Sequence, residues 1–227
     1  INTWDDGYPS GGNYWSDYTG TDLHMGPYQN GTGSDGIGDT PYLILANNKD
    51  NYPLTKPYGG PYDIGIINVT TSKTVAAQGY NLDITVKIIN YGANAETFNV
   101  IAYYNATPIN TTKVTLTRRN STIVTFTWNT TGVAKGNYTI TAEATPVPSE
   151  TDTADNEYVN GWVVVTIPGD IEGDHDVDYM DLYKLAKAYG SHQGDPNYTP
   201  EADINCDGKV DYLDLYILAK HYGQKDP

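Results

Sequence analysis

Acidic residues near the C-terminal end of this 227-residue chain recur in a fixed pattern. Two segments align at an offset of 33 residues, DIEGDHDVDYMDLYKLAKAYG (170–190) and DINCDGKVDYLDLYILAKHYG (203–223), with aspartate at loop positions 1, 5, 9 and 12 of both. Ca²⁺ takes six to eight oxygen ligands at about 2.3–2.6 Å, and a 12-residue calcium loop supplies them from positions 1, 3, 5, 7, 9 and 12. The spacing therefore predicts two calcium-binding loops.

The two loops differ in the residues at these six positions. The first loop offers Asp170, Glu172, Asp174, Asp176 (through its carbonyl oxygen), Asp178 and Asp181, and the second offers Asp203, Asn205, Asp207, Lys209 (through its carbonyl oxygen), Asp211 (often through water) and Asp214. Gly208 at position 6 of the second loop permits a sharp turn, whereas the first loop has His175 there. Because a left-handed backbone costs a non-glycine residue roughly 1 kcal/mol, we expect the first site to be the weaker one.

One helix is predicted after each loop, over residues 181–189 and 214–222. Apolar side chains recur there at i, i+3, i+4 and i+7 and form one stripe on each helix: Leu182, Leu185, Ala186 and Tyr189, and Leu215, Leu218, Ala219 and Tyr222. Gly190 and Gly223 suit the C-terminal ends of these helices. Position 12 carries aspartate rather than glutamate, and no full helix precedes the first loop. In these features residues 169–223 resemble a type I dockerin.

The dockerin resemblance implies two bound calcium ions and a protein partner of the cohesin type. In that family loop positions 10 and 11 and the following helix face the partner, and these positions are occupied here by Tyr179, Met180, Tyr212 and Leu213. Such apolar residues favour a hydrophobic contact, although packing of some of them inside the module is also consistent with the pattern. The internal repeat implies that either helix could dock.

Residues 62–168 alternate apolar and polar residues, with the period of half-buried strands. Seven strands are predicted, near 64–69, 82–88, 98–102, 113–116, 124–128, 138–144 and 162–167. Strands of this number and spacing are typical of an immunoglobulin-like β-sandwich. The run DIGIINVTTSKTVAAQGYNLDITVKIINYGANAETFNVIAYYN resembles a CARDB domain, which implies a cell-surface, adhesion-type sandwich.

Residues 1–61 are rich in Gly, Asp, Tyr, Asn and Pro and have few apolar runs. The string GNYWSDY resembles part of the closing cap of right-handed parallel β-helix proteins of archaeal cell surfaces. A small core is predicted from the aromatic side chains Trp4, Tyr14, Trp15, Tyr18, Tyr42 and Tyr52. Asp35 and Asp39 bracket glycines and are candidates for one further calcium site, with an ordinary Gly-Asp loop as the alternative.

These segments predict a multidomain, mainly β chain: an irregular Gly/Tyr/Asp-rich β-cap (1–61), an immunoglobulin-like β-sandwich (62–168) and a small α-helical, paired calcium-loop module (169–227). The formal net charge is −15, and residues 169–227 carry thirteen acids and five bases. Such a balance argues against binding of nucleic acid or anionic membranes, which requires a basic surface. No stretch approaches the ~20 apolar residues of a membrane span.

Eight asparagines lie in Asn-x-Ser/Thr motifs: Asn30, Asn68, Asn105, Asn110, Asn120, Asn129, Asn137 and Asn197. They favour an exported, glycosylated chain, although a Thr-rich β domain also produces such motifs by composition. The chain starts at Ile1 without an initiator methionine or signal peptide, so we expect it to be part of a longer precursor.

Catalytic motifs find no support in the sequence. There is no Gly-rich phosphate loop or nucleophile elbow, and the four histidines lack zinc-ligand spacing. We therefore expect a non-catalytic, extracellular or cell-surface structural protein of archaeal type. Its calcium module would attach it to a cohesin-like partner, or to further copies of itself in a filament. The alternative is an accessory tail of a carbohydrate-active β-helix enzyme, whose aromatic residues bind cell-surface glycans.

Overall fold

The computed structural model describes residues 4, 5, 7, 8, 11–45, 48–55 and 62–226. The chain divides into two compact units near residue 60. The first unit holds short, irregular strands, and the second holds a β-sandwich and two helices. Neither helix in these described residues has the length and apolar character that crossing a bilayer requires.

Short hairpins and buried polar contacts build the first unit. Four strands form two antiparallel pairs, β1 (His24–Met25) with β2 (Gly31–Thr32), and β3 (Tyr42–Leu45) with β4 (Asn48–Asp50). The carboxylate of Asp50 is buried and accepts hydrogen bonds from the backbone N–H groups of Asn13 and Tyr52 and from Nε1 of Trp15. This carboxylate joins the start of the unit to β4, which offsets the shortage of apolar residues.

Aromatic rings supply the apolar part of the first unit. The rings of Trp15 and Tyr42 are stacked with their centroids 4.6 Å apart. Trp4 meets Trp15 edge-on at 6.3 Å, and Tyr18 meets Tyr42 edge-on at 6.2 Å. Four of the six predicted aromatic residues therefore form one cluster, while Tyr14 is exposed.

Eight strands form the sandwich of the second unit: β5 (Ile64–Thr71), β6 (Val75–Ala77), β7 (Asn81–Asn90), β8 (Glu96–Tyr104), β9 (Thr107–Leu116), β10 (Ser121–Asn129), β11 (Gly136–Ala144) and β12 (Glu157–Thr166). They make a three-stranded sheet in the order β10-β7-β5 and a five-stranded sheet in the order β6-β12-β11-β8-β9. All pairs are antiparallel except β6 with β12. The mainly β, immunoglobulin-like fold is confirmed; only β6 escaped prediction, because three residues are too few to show a period.

The core of the sandwich lies between its two sheets. Alternate residues of β7, from Leu82 to Ile88, point into it and are buried, as their alternation predicted. Trp128 is 2% exposed, stacks on Tyr104 at 4.8 Å and meets Tyr138 edge-on at 5.7 Å. Fully burying large aromatic rings stabilises a domain by several kcal/mol in aggregate, so the sandwich has a core of its own.

Two helices follow the sandwich, α1 (Tyr179–Ala188) and α2 (Tyr212–His221). Each begins at an aspartate cap, Asp178 or Asp211, whose side chain accepts a backbone N–H of the first turn, in a reciprocal capping box. The residues after the helices, Gly190 and Gly223, have φ of +81° in both cases, which ends a helix at little cost only for glycine.

A second hydrophobic cluster joins the helices to the sandwich. It contains buried residues of the helical segment such as Val177, Leu185 and Val210, together with Ala77 and Ile167 from the sandwich. The modules predicted on either side of residue 168 thus share apolar contacts within one compact unit.

Candidate metal centre

The carboxylate at position 1 of each loop is buried and accepts two backbone N–H groups and one hydroxyl. In the first loop Asp170 accepts the backbone N–H groups of Gly173 at 2.7 Å and His175 at 2.9 Å. A third donor is the hydroxyl of Thr166, at the end of β12, with Oγ1 2.6 Å from Oδ2 of Asp170. These bonds hold the carboxylate at the start of the turn.

Position 1 of the second loop has a similar arrangement, with one backbone donor at position 5 instead of position 4. Asp203 accepts the backbone N–H groups of Asp207 at 3.1 Å and Gly208 at 2.9 Å. Its hydroxyl donor is Tyr198, whose Oη lies 2.7 Å from Oδ2 of Asp203. Burial and this bond to Asp203 raise the pKa of Tyr198, so the phenol stays protonated and donates. Neither Thr166 nor Tyr198 was predicted, because their positions differ between the repeats.

The carboxylates at position 12, Asp181 and Asp214, are fully buried. Each bridges the two ends of its loop: Asp181 accepts the N–H groups of Ile171 and Asp178 at 2.7 Å each, and Asp214 accepts the equivalent two at 2.7 and 2.9 Å. Burial raises the pKa of both carboxyl groups although these hydrogen bonds act to lower it. A cation beside them would offset the loss of hydration.

The arrangement of the first loop fits a hard cation. Ligand atoms of Asp176, Asp178 and Asp181 lie within 4.8 Å of one another. No other set of three Asp, Glu, His or Cys side chains among the described residues is grouped so closely. Oδ1 of Asp176 is buried and accepts no hydrogen bond from the described residues. Oxygen donors alone, with a buried carboxylate oxygen still unsatisfied, are the coordination chemistry of Ca²⁺.

Each loop is covered by the segment that follows the opposite helix. Residues 223–226, here called the strap, pair with the first loop: Val177 N–H donates to Gln224 O at 2.9 Å, and Asp226 N–H donates to His175 O at 2.8 Å. Residues 190–193 pair with the second loop in the same way, through Val210 and Gly208. The two halves are therefore interlocked and related by an internal twofold arrangement.

The comparisons with known proteins agree with this geometry. The family model for the dockerin type I domain matches residues 168–221, and the CARDB family model matches residues 63–160. The chain contains a type I dockerin domain and a CARDB domain. Dockerin domains generally bind calcium and bind cohesins, so these domain types indicate a protein–protein interaction module of the cell surface. Neither family model covers residues 1–62, and the likeness of that segment to a β-helix cap stays a prediction.

Solved structures similar to the chain include CARDB domains. A CARDB domain from Pyrococcus furiosus, solved in complex with di-metal ions, is 23% identical with a TM-score of 0.39, over 46% of this chain and 88% of that one. A domain of a putative cell surface protein from Methanosarcina acetivorans is 26% identical with a TM-score of 0.38, over 46% and 91%. A β-glucosidase from Listeria innocua is 16% identical with a TM-score of 0.35, over 55% of this chain and 18% of that one. No curated protein matched the chain.

Two turn positions in each calcium loop of the dockerin domain have a left-handed backbone. At position 6 φ is +75° for His175 and +84° for Gly208, which confirms the strained turn expected there. At position 4 φ is +77° for Gly173 and +61° for Cys206. Each loop therefore has one glycine and one strained residue, in opposite order.

Replacing His175 with glycine should stabilise the dockerin domain. Glycine adopts φ near +75° without the clash of a Cβ atom, so we expect His175→Gly to raise the free energy of unfolding by about 0.5–1 kcal/mol. Thermal unfolding followed by far-ultraviolet circular dichroism at saturating calcium measures the change. Cys206→Gly tests the strained position of the second loop. An unchanged or lower midpoint for His175→Gly would contradict the strain argument.

The second loop also contacts the sandwich through a buried lysine. Lys73, between β5 and β6, is 5% exposed, and its Nζ donates to the carbonyl oxygen of Asp203 at 2.6 Å. Thr74 donates to the carboxylate of Glu201, and Sγ of Cys206 lies 2.6 Å from Asn81 O. Lys73 and Asp203 are 130 residues apart in sequence, so no local pattern could have predicted this contact.

Removing the Lys73 ammonium should loosen the dockerin domain. Lys73→Met keeps the length of the side chain and its aliphatic part but removes the ammonium. The Asp203 carbonyl oxygen then lacks its donor in a strongly acidic module, and we expect the free energy of unfolding to fall by about 1–3 kcal/mol. The measurement is the calcium-bound unfolding midpoint of the helices. Lys87→Met, on an exposed position of β7, is the control. A higher midpoint would mean that burying the ammonium destabilises more than its hydrogen bond stabilises.

The helices expose an apolar surface on the dockerin domain. The four predicted partner-binding residues all face solvent: Tyr179 is 64% exposed, Met180 45%, Tyr212 64% and Leu213 50%. Tyr183 and Tyr216 continue the surface, with ring centroids 6.3 and 6.4 Å from those of Tyr179 and Tyr212. We call the three residues on one helix a copy of the docking face, which is Tyr179, Met180 and Tyr183 on α1 and Tyr212, Leu213 and Tyr216 on α2.

The predicted apolar stripes are only half buried. Leu185 and Leu218 enter the shared core, whereas Ala186, Tyr189, Ala219 and Tyr222 remain exposed. Between the helices, an open apolar hollow of about 330 Å³ is lined by Leu182, Leu185, Ala186, Tyr189 and Leu215. The stripes thus serve both the packing of the helices and their outer surface.

Asp35 and Asp39 of the first unit hold turns by hydrogen bonds. Asp39 accepts the N–H groups of Leu23 and His24 at 3.0 Å each, and Asp35 accepts the N–H of Gly26 at 3.1 Å. Burial alone would raise the pKa of Asp39, but the bonds from Leu23 and His24 lower it overall. Neither belongs to a group of three ligands within 4.8 Å among the described residues, and the third calcium site stays a prediction.

Proposed function

We propose that this chain is a non-catalytic, extracellular attachment protein whose dockerin domain binds one calcium ion in each loop and a cohesin-like protein partner. The observation that carries the proposal is the docking face, which appears twice with nearly equal exposure. Six large apolar side chains at equivalent positions of two helices are unusual on a surface unless they form an interface. The CARDB domain would act as a spacer between the dockerin domain, which carries this interface, and the surface to which the chain is attached.

The calcium ions would act on the fold of the dockerin domain. A bound ion would neutralise the carboxylates of its loop, and the buried position-12 aspartate would connect it to the start of the following helix. The proposed ligands are the twelve residues named from the sequence, and position 7 would contribute its carbonyl oxygen. The helices would then present both copies of the docking face in fixed positions.

Glycosylation of the asparagine motifs is part of this proposal. All eight motif asparagines are exposed, and none of them lies on α1 or α2. Six lie in the sandwich, so attached glycans would leave the docking face accessible. We also propose an archaeal cell surface as the location, on the resemblance of residues 1–61 to β-helix caps. Trp15 and Tyr42 stack on each other, so one face of each ring is not accessible to a sugar. Sugar binding by the aromatic residues of that unit remains a prediction.

The test uses the purified chain at about millimolar calcium and again after excess chelator. We expect a type I cohesin domain to bind in calcium and not in chelator, measured by calorimetry, with the chain dispersed in electron micrographs. Ordered fibres that dissolve on chelation would instead assign the docking face to further copies of the chain. Binding that is indifferent to calcium would contradict the proposal.

A further inference from the structure

Two lysines form ion pairs with acidic side chains of the first calcium loop. Lys184 on α1 reaches back to position 3, with its Nζ 2.8 Å from Oε2 of Glu172. Lys225 on the strap pairs with position 7, with its Nζ 2.6 Å from Oδ2 of Asp176. Asp176 belongs to the acidic group whose ligand atoms lie within 4.8 Å of one another, so one ammonium lies beside the place where calcium would bind.

The internal repeat shows that the second loop lacks this arrangement. At the offset of 33 residues, Lys184 corresponds to Ile217 and Lys225 corresponds to His192. In the described part of the chain, no lysine or arginine forms an ion pair with an acid of the second loop. The second loop has Lys209 at position 7, and the buried Nζ of Lys73 bonds to the carbonyl oxygen of Asp203, but among the described residues neither ammonium pairs with a ligand carboxylate.

A count of ligand charges alone would rank the loops the other way. The first loop has two carboxylates more at its six ligand positions, because Glu172 and Asp176 stand where the second loop has Asn205 and Lys209. Affinity for calcium rises with the charge of the ligands in a loop. These two carboxylates are the ones that Lys184 and Lys225 pair with, so calcium must either displace the two ammonium groups or bind beside two positive charges.

We propose that Lys184 and Lys225 are built-in counter-ions of the first loop, so that this loop binds calcium more weakly than the second and binds it more tightly once the lysines are removed. The inference rests on the proposed binding of calcium in both loops. It makes occupancy of the first loop the calcium-sensitive step of the dockerin domain, since the second loop fills at a lower calcium concentration.

The backbone fixes Lys225 in place. The strap residues on either side of it, Gln224 and Asp226, bond to the first loop through Val177 and His175, and Asp226 also pairs with Lys135 of the sandwich. Lys184 is held by its place on α1, six residues after the cap Asp178. Both lysines therefore lie on ordered elements of the folded domain, and their side chains reach the loop from its surface.

The experiment follows calcium binding at each loop separately in the full chain. The amide signals of His175 and Gly208, which donate to the position-1 aspartates, report the first and second loops in a ¹⁵N-resolved titration. In the wild type we expect the Gly208 signal to shift at lower calcium than the His175 signal. For Lys184→Gln/Lys225→Gln, we expect the first-loop dissociation constant to fall about three- to tenfold, with less than about a twofold change at the second loop.

The control is Lys187→Gln/Lys220→Gln, which removes the same charge from the two helices. Lys187 lies over the ring of Tyr183, and neither lysine forms an ion pair in the described residues. If the double variant does not fold, Lys225→Gln alone serves, because its side chain is 71% exposed; we expect about a twofold tighter first loop.

The outcomes separate the inference from the function on which it rests. No calcium-dependent shift at either loop would refute the proposed calcium binding itself. Shifts at both loops, with the first loop equal or tighter in the wild type, would overturn the inference alone. It would also be overturned if the lysine variants weakened the first loop or changed it no more than the control does.

Discussion

Chelating calcium is expected to abolish the helical circular dichroism of residues 169–223 while the sandwich stays folded. Thirteen acids and five bases lie in residues 169–227, and Asp181 and Asp214 are buried carboxylates. Each site held at a hundredfold excess over its dissociation constant stabilises the folded state by about 2.7 kcal/mol. A helical segment of this size has a small core, so losing both contributions should unfold it.

The sandwich should survive because its core is separate. Trp128, with Tyr104 and Tyr138, packs between the sheets in a hydrophobic cluster whose described members include no residue of the calcium loops. When the helices unfold, Ala77 and Ile167 become exposed to water. We therefore expect the thermal unfolding midpoint of the sandwich to fall by a few degrees. Far-ultraviolet dichroism near 222 nm reports the helices, and near-ultraviolet dichroism reports the ordered aromatic rings, Trp128 among them.

A double variant should reproduce the effect of chelation without a chelator. Asp181→Asn/Asp214→Asn keeps the shape of the side chains but removes one charged ligand from each loop, so the helices should stay unfolded at millimolar calcium. A helical signal that the chelator leaves unchanged would refute calcium-dependent folding. Simultaneous loss of the Trp128 signal would refute the independence of the sandwich.

Removing both copies of the docking face is expected to reduce partner binding by at least about a hundredfold. Large aromatic side chains at the centre of an interface contribute 2 kcal/mol or more when truncated, and a factor of ten corresponds to about 1.4 kcal/mol. The variant is Tyr179→Ala/Tyr183→Ala combined with Tyr212→Ala/Tyr216→Ala. All four side chains are exposed, so the fold should be little affected.

Removing one copy should have a far smaller effect. If either helix can dock, Tyr179→Ala/Tyr183→Ala alone leaves the second copy intact, and binding should weaken only about twofold, the statistical factor of two equivalent modes. Calorimetry with a cohesin domain at saturating calcium distinguishes the cases. Trp162→Ala, which removes a 70% exposed aromatic ring from the sandwich, is the control. Full loss from either single-helix variant would show that only one orientation is used.

The chelation experiment tests the calcium loops, and the tyrosine variants test the docking face. Calcium-dependent folding with no loss of binding in the four-tyrosine variant would keep the calcium loops and reject the docking face. Loss of binding without calcium dependence would do the reverse. The Lys184 and Lys225 titration then decides how the two loops share the calcium response.

Local sequence patterns were sufficient for the elements of both domains. The ligand spacing, the aspartate caps and the alternation in β7 depend on residues a few positions apart, and backbone geometry converts such spacings directly into turns, helices and strands. The strain at His175 was predicted for the same reason, since a loop position requires a left-handed backbone whatever surrounds it. Only β6, with three residues, was too short for a period to show.

What the sequence by itself determined was thus the two loops, their helices, the strands of the sandwich except β6, and four of the six residues of the docking face, whose exposure the structure then decided. The tertiary structure alone decided which distant groups surround the loops: Lys73 on the second loop, Lys225 on the first, and the hydroxyls of Thr166 and Tyr198 on the position-1 aspartates. These contacts depend on how the strap and the sandwich pack, and such packing is set by shared burial rather than by any period along the chain. The repeat makes the loops alike, and their different surroundings make them unequal.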